Sequence, residues 1–78
     1  MNLKFKLFGI YKSDLKTAQI ELEFPCPLTV AMLRKSLAKE FHPRFADAAV
    51  ASEEELLDSQ FVLHESTTLN LLPPVCGG

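Results

Sequence analysis

The hydrophobic period of this chain lengthens once, in the middle of an otherwise strand-like pattern, and that change restricts the fold more than any other feature. In residues 2–9, Leu3, Phe5 and Leu7 alternate with Lys4 and Lys6; in residues 18–24, Ile20, Leu22 and Phe24 alternate with Gln19, Glu21 and Glu23. A period of two is the mark of a strand with one buried face. From Val30 the period lengthens, and Val30, Leu33, Leu37 and Phe41 recur at spacings of three, four and four. That spacing lays one apolar stripe along a helix. Thr29 stands where an N-cap belongs, and Pro43 ends the helix because the residue before a proline resists the α region. Two half-buried strands and one amphipathic helix need a sheet on which the helix can lie.

The remaining segments fit the same plan. Tyr11-Lys12-Ser13-Asp14 has turn chemistry, and pairing the strands on either side sets lysines beside glutamates on the wet face. Pro25-Cys26-Pro27 ends the second strand. Residues 48–51 and 60–63 read as short strands, with Glu53-Glu54-Glu55 exposed between them. Residues 67–72 form the last strand, with Leu69 and Leu71 on the core face. The expected fold is α+β: a roll in which one main helix, about 29–41, crosses a mixed sheet. Residues 1–72 form the domain and residues 73–78 an extended tail.

A chain of 78 residues supports a single modest core and has no room to enclose a deep substrate cavity. Function is therefore expected on a surface or at a terminus. Residues 1–39 carry seven basic and three acidic side chains, whereas residues 40–78 carry one basic and seven acidic. No basic stripe interleaved with aromatics is present, so nucleic acid is not an expected partner. The acidic half either steers the chain to a basic partner or keeps it soluble. Neither a signal peptide nor a membrane-spanning run is apparent, and Cys26 and Cys76 make no disulfide framework, which points to the reducing cytoplasm. Cys26, His42, His64 and Cys76 lack the short paired spacing of a structural zinc site, so no metal is expected. His42 reads as a helix-end residue favoured by the macrodipole.

The tail holds the most specific signal. The segment Leu69-Asn70-Leu71-Leu72-Pro73-Pro74-Val75-Cys76-Gly77-Gly78 contains no charged side chain. Two prolines stiffen the exit, and Gly77-Gly78 presents a carboxylate with no Cβ beside it, fit to enter a narrow channel. Parity adds a patch. If Leu3, Phe5 and Leu7 face the core, Phe8 does not; if Leu69 and Leu71 do, Leu72 does not. With the first and last strands parallel and adjacent, Phe8 and Leu72 become neighbours, and Leu56 extends the cluster. The alternative is that a strand end twists and covers them.

The block Leu71-Leu72-Pro73-Pro74-Val75-Cys76-Gly77-Gly78 resembles the C-terminus of the small subunit of molybdopterin synthase. The strand ending at Phe8 and the helix opened by Leu28-Thr29-Val30, with Leu33 three residues later, follow the family's order. The chain departs from the family at Glu65-Ser66-Thr67-Thr68, where an acidic-glycine-acidic turn is usual. It departs again at Lys12-Ser13-Asp14, where an Arg-Glu pair is common, and at Cys76, usually serine or threonine. The resemblance implies a ubiquitin-like β-grasp fold and a sulfur carrier that is not a catalyst on its own. Gly78 would be the reactive residue, reached through Gly77, and no permanent cofactor would be bound. An adenylyltransferase of the ubiquitin-activating type would use ATP to activate Gly78, and a persulfide donor would convert it to a thiocarboxylate. The large synthase subunit, in a heterotetramer, would then pass the sulfur to a cyclic pterin phosphate. Phe8, Leu56, Leu72, Pro73, Pro74, Val75 and Cys76 would form the partner-binding surface. Cys76 reads as a small tail residue rather than a persulfide trap, because nothing nearby in sequence lowers its pKa. Carriers for thiamine, cysteine or tRNA thiolation share this logic, as does a ubiquitin-like modifier that forms isopeptides.

Overall fold

Alternation of Leu3, Phe5 and Leu7 with lysines produces β1 (Asn2–Leu7), whose three apolar side chains are all buried. The computed structural model describes residues 1–74. After β1 come α1 (Ile10–Leu15), β2 (Gln19–Glu23), β3 (Leu28–Thr29) and α2 (Val30–Glu40). A 3₁₀ turn (Pro43–Asp47), β4 (Ala49–Ala51), β5 (Val62–Leu63) and β6 (Thr67–Leu72) complete the order. The fold is α+β, and one main helix packs on a mixed sheet.

The main sheet runs β2-β1-β6-β4. β1 pairs antiparallel with β2, placing Lys4 opposite Glu21, and the Asn2 amide donates to the Glu21 carboxylate at 2.7 Å. On its other side β1 runs parallel to β6, from Leu3 opposite Thr67 to Leu7 opposite Leu71. A parallel pair needs a long crossover, and α2 lies within the segment that supplies it. β4 closes the other edge antiparallel to β6. The small sheet joins Leu28 to Leu63 and Thr29 to Val62.

Thr29 ends β3 and caps α2, its Oγ1 accepting from the Met32 N–H at 3.2 Å. The carbonyls of Phe61 and Ser59 accept from the N–H groups of Val30 and Ala31, so the opening turn of the helix is satisfied by the β5 approach. Val30, Leu33 and Leu37 are fully buried against Leu3, Phe5, Leu69 and Leu71.

Three local expectations change. Residues 11–14 belong to α1 rather than a turn, because Tyr11 is buried and Leu15 packs one helical turn later. Phe41 is the C-cap of α2 rather than a buried member of its stripe, half-exposed with its ring against Phe45. His42 begins the next element rather than ending α2. Its Nδ1 accepts from the Arg44 backbone N–H at 3.1 Å and from Arg44 Nε at 3.2 Å, capping the 3₁₀ turn as an acceptor. Among the described residues, no helix is long and apolar enough to cross a membrane.

Leu37→Ala removes a side chain with no solvent exposure. Urea denaturation is expected to show a loss of about 2–5 kcal/mol with the slope unchanged.

Candidate functional site

The parallel pairing of β1 and β6 carries both strands to the same end of the sheet. The Phe8 N–H continues the ladder by donating to the Leu71 carbonyl at 3.2 Å. Phe8, one residue beyond β1, is 43 % exposed, and Leu72 at the end of β6 is half-buried. Leu72 stands opposite Ala49 of β4, and Ala51 of that strand bridges to Leu56, which is 64 % exposed. Phe8, Leu72 and Leu56 thus lie in order across this end of the sheet, with β4 between the last two and Leu56 two residues out of register with Leu72.

Each end of the row has its own charge. Lys6 and Lys12 share a shallow depression with Phe8. At the other end the Ser52–Glu55 turn is closed by the Ser52 N–H donating to the Glu55 carbonyl at 2.9 Å. The Ser52 hydroxyl accepts from the N–H of Glu55 at 3.3 Å, leaving the three glutamate side chains outward.

Beyond Leu72 the chain enters Pro73, half-buried, and then Pro74, exposed. Val75, Cys76, Gly77 and Gly78 lie outside the described residues. Cys26 is exposed, its thiol donating to the His64 carbonyl at 2.8 Å. Among the described residues, no three His, Cys, Asp or Glu side chains converge on a point that can hold a metal ion.

Sequence reasoning missed the anchor behind this end of the sheet. Tyr11 of α1 stacks on Phe45 with ring centroids 4.6 Å apart, and its hydroxyl donates to the Arg44 carbonyl at 3.3 Å. Asp14 of α1 pairs with Arg44 Nε at 3.2 Å. These contacts clamp α1, and with it Gly9 at its N-cap, to the 3₁₀ turn. The only signal in the sequence was the four-residue spacing of Tyr11 and Leu15. Burial, reinforced by the negative charge of Asp47 and Asp14, raises the Tyr11 hydroxyl above its ordinary pKa, and the Arg44 charge offsets part of that rise.

The model of the ThiS family matches residues 5–78, nearly the whole chain including its Gly-Gly terminus. The chain belongs to the ThiS family. No curated protein matches it closely enough in sequence to count as a relative. Solved structures share the fold at low identity. Molybdopterin converting factor subunit 1 of Pyrococcus furiosus is 19 % identical, with a TM-score of 0.78 over 96 % of this chain and 99 % of that one. The HVO 2177 protein of Haloferax volcanii is 18 % identical, with a TM-score of 0.80 over 100 % of this chain and 87 % of that one. SAMP1 of the same organism is 19 % identical, with a TM-score of 0.73 over the full length of both. This ThiS-family chain therefore shares the ubiquitin-like β-grasp fold of those structures.

Because the folded pKa of Tyr11 lies above the unfolded value, the folded state holds the hydroxyl proton more tightly. Its contribution to stability is complete below about pH 10 and is lost as pH rises through the folded value. Tyr11 is the sole tyrosine, so its absorbance titration in native and urea-unfolded chains reads the difference directly. Tyr11→Phe is expected to lack that part of the alkaline loss of stability.

Proposed function

We propose that this chain carries sulfur for molybdenum cofactor biosynthesis, as the small subunit of a molybdopterin synthase. One observation carries the reading. β6 passes from the middle of the sheet directly into Pro73-Pro74 beside exposed Phe8, and the family match continues to Gly78. An exit of this kind delivers a terminus to a partner that docks on the apolar row. The Pro73-Pro74-Val75 run before the tip supports this acceptor, in keeping with the likeness in fold to molybdopterin converting factor subunit 1.

The chemistry follows from the poor electrophilicity of a carboxylate. An adenylyltransferase of the ubiquitin-activating type directs a Gly78 carboxylate oxygen onto the α-phosphorus of ATP, releasing pyrophosphate and forming an acyl adenylate. A persulfide sulfur displaces AMP and leaves an acyl disulfide, which a second thiol opens to free the thiocarboxylate. The thiocarboxylate sulfur is a stronger nucleophile than carboxylate oxygen and ionises at neutral pH. It is donated to a cyclic pterin phosphate within the large subunit, which supplies the bases and phosphate-binding cations. Phe8, Leu56 and Leu72 dock that subunit in a heterotetramer, and Pro73, Pro74, Val75, Cys76 and Gly77 occupy its channel. The chain works in the cytoplasm and holds no cofactor of its own.

A second reading has support of its own. The chain shares its fold with SAMP1 over the full length of both, and with a further structure, of the H. volcanii small archaeal modifier protein 1, over 95 % of this chain and 98 % of that one. A modifier would join Gly78 to protein lysines through an isopeptide.

Intact mass of the chain from its own host, purified without reductant or alkylator, is expected to show a fraction heavier by one oxygen-to-sulfur exchange at Gly78. Plain carboxylate alone, with the pathway switched on, refutes the carrier. Higher-mass conjugates that vanish on deletion of Gly78 establish the modifier. Phe8→Asp is expected to leave the urea midpoint nearly unchanged while weakening the large-subunit complex by roughly 10-fold or more, about 1.4 kcal/mol, measured by calorimetry.

A further inference from the structure

At Gly9, the only glycine among the described residues, the backbone and a neighbouring ring both disfavour a side chain. Its φ is +57° and its ψ −131°, a region that L residues with a Cβ rarely adopt. An added Cβ would lie 2.7 Å from Pro73 Cγ and 3.5 Å from Pro73 Cδ. The first distance is well inside van der Waals contact. The proline ring therefore occupies the space that any other residue at position 9 would fill.

Both sides of this contact are held. Gly9 is tied to α1, its carbonyl accepting from the Ser13 N–H at 3.2 Å, and α1 is fastened through Tyr11 on Phe45 and Asp14 on Arg44. Pro73 is tied to the sheet by Leu72, paired with Ala49, and by Leu71, whose carbonyl receives the Phe8 N–H. Its ring fixes φ near −65°, so placing the ring also sets the direction of the chain that follows.

We propose that Gly9 is a positioning residue: its bare Cα is a seat for the Pro73 ring, and the seat aims the tail from residue 74 onward. A Cβ at position 9 pushes the ring outward and turns the exit while the sheet stays paired. The consequence for sulfur loading rests on the carrier reading above, because an adenylating site accepts only a terminus delivered along its channel. A misplacement of about 1 Å at a reacting group costs on the order of 10²-fold in rate.

The test is a double-mutant cycle in the full chain, with Gly9→Ala, Pro73→Ala and both together. Each is assayed for ATP-dependent thiocarboxylate formation with the host's adenylating partner and for its urea midpoint. Gly9→Ala is expected to slow loading by about 10-fold or more in the native background and by less than about 2-fold when residue 73 is alanine. Strain at Gly9 alone would lower the urea midpoint equally in both backgrounds. Equal slowing in both backgrounds, or none in either, overturns the proposal.

A second readout does not depend on the carrier reading. With Cys26→Ser and a nitroxide on Cys76, the pattern of amide broadening reports where the tail lies relative to the domain. Gly9→Ala is expected to redistribute that pattern, and an unchanged pattern overturns the seat. If the native chain is not loaded at all, the carrier reading fails while this pattern still decides the role of Gly9.

Discussion

The parallel pairing of β1 with β6 is the constraint on which the rest depends. It joins the first strand of the chain to the last in the centre of the sheet, each flanked by one further strand. The buried side chains of both strands then join Val30, Leu33 and Leu37 of α2 in one hydrophobic cluster. The pairing also sets direction. Because the strands run the same way, their C-terminal ends coincide, and Phe8 and Gly9 come to lie where the chain leaves β6. Antiparallel pairing of the same two segments would put Phe8 at the opposite end of the sheet from Pro73. The apolar row and the exit of the chain from β6 are thus consequences of one topological choice.

How much was legible follows from the length of each element. β1, β2 and α2 repeat their period often enough for sequence alone to place them, and Thr29 marks the helix start through a cap that the structure contains. Exposure of Phe8 followed from parity, since a strand that buries Leu3, Phe5 and Leu7 turns its next residue outward. The short elements were illegible for a physical reason. α1 has six residues, too few to show a helical stripe or to be stable in isolation, and it forms because Tyr11 is buried against Phe45. β3 has two residues, and its strand character comes from Leu63 and Val62 more than thirty positions away. Gly9 could not be distinguished from an ordinary turn glycine, because its requirement arises from Pro73, which only the fold brings near.

The charge asymmetry of the sequence takes a spatial form. Lysines lie near the Phe8 end of the row and glutamates precede Leu56 at the other. A partner meeting this row encounters a field that reverses sign along it, which selects one orientation over its reverse. Exposed charges at a rim contribute little to affinity, and their larger effect is on encounter and register. The apolar side chains between them supply the area. For a carrier that must deliver a terminus, correct orientation matters as much as tight binding.

A terminus can be delivered by a long free tail or by a short aimed one, and the entropy of ordering decides between them. Fixing one residue's backbone costs about 1–2 kcal/mol, so every unconstrained residue between fold and channel weakens the complex by roughly that amount. Proline removes much of this cost in advance because its φ is set covalently. Here the two positions immediately after β6 are both proline, and the first rests against the N-cap of α1. The restriction is therefore imposed at the base, where an angular error would be multiplied along the tail. The final two residues are glycines, whose lack of a Cβ suits a narrow channel but whose freedom is the most costly to lose. Stiffness at the base is useful only if the base points the right way. That makes α1, the element least visible in the sequence, part of how the tail is presented.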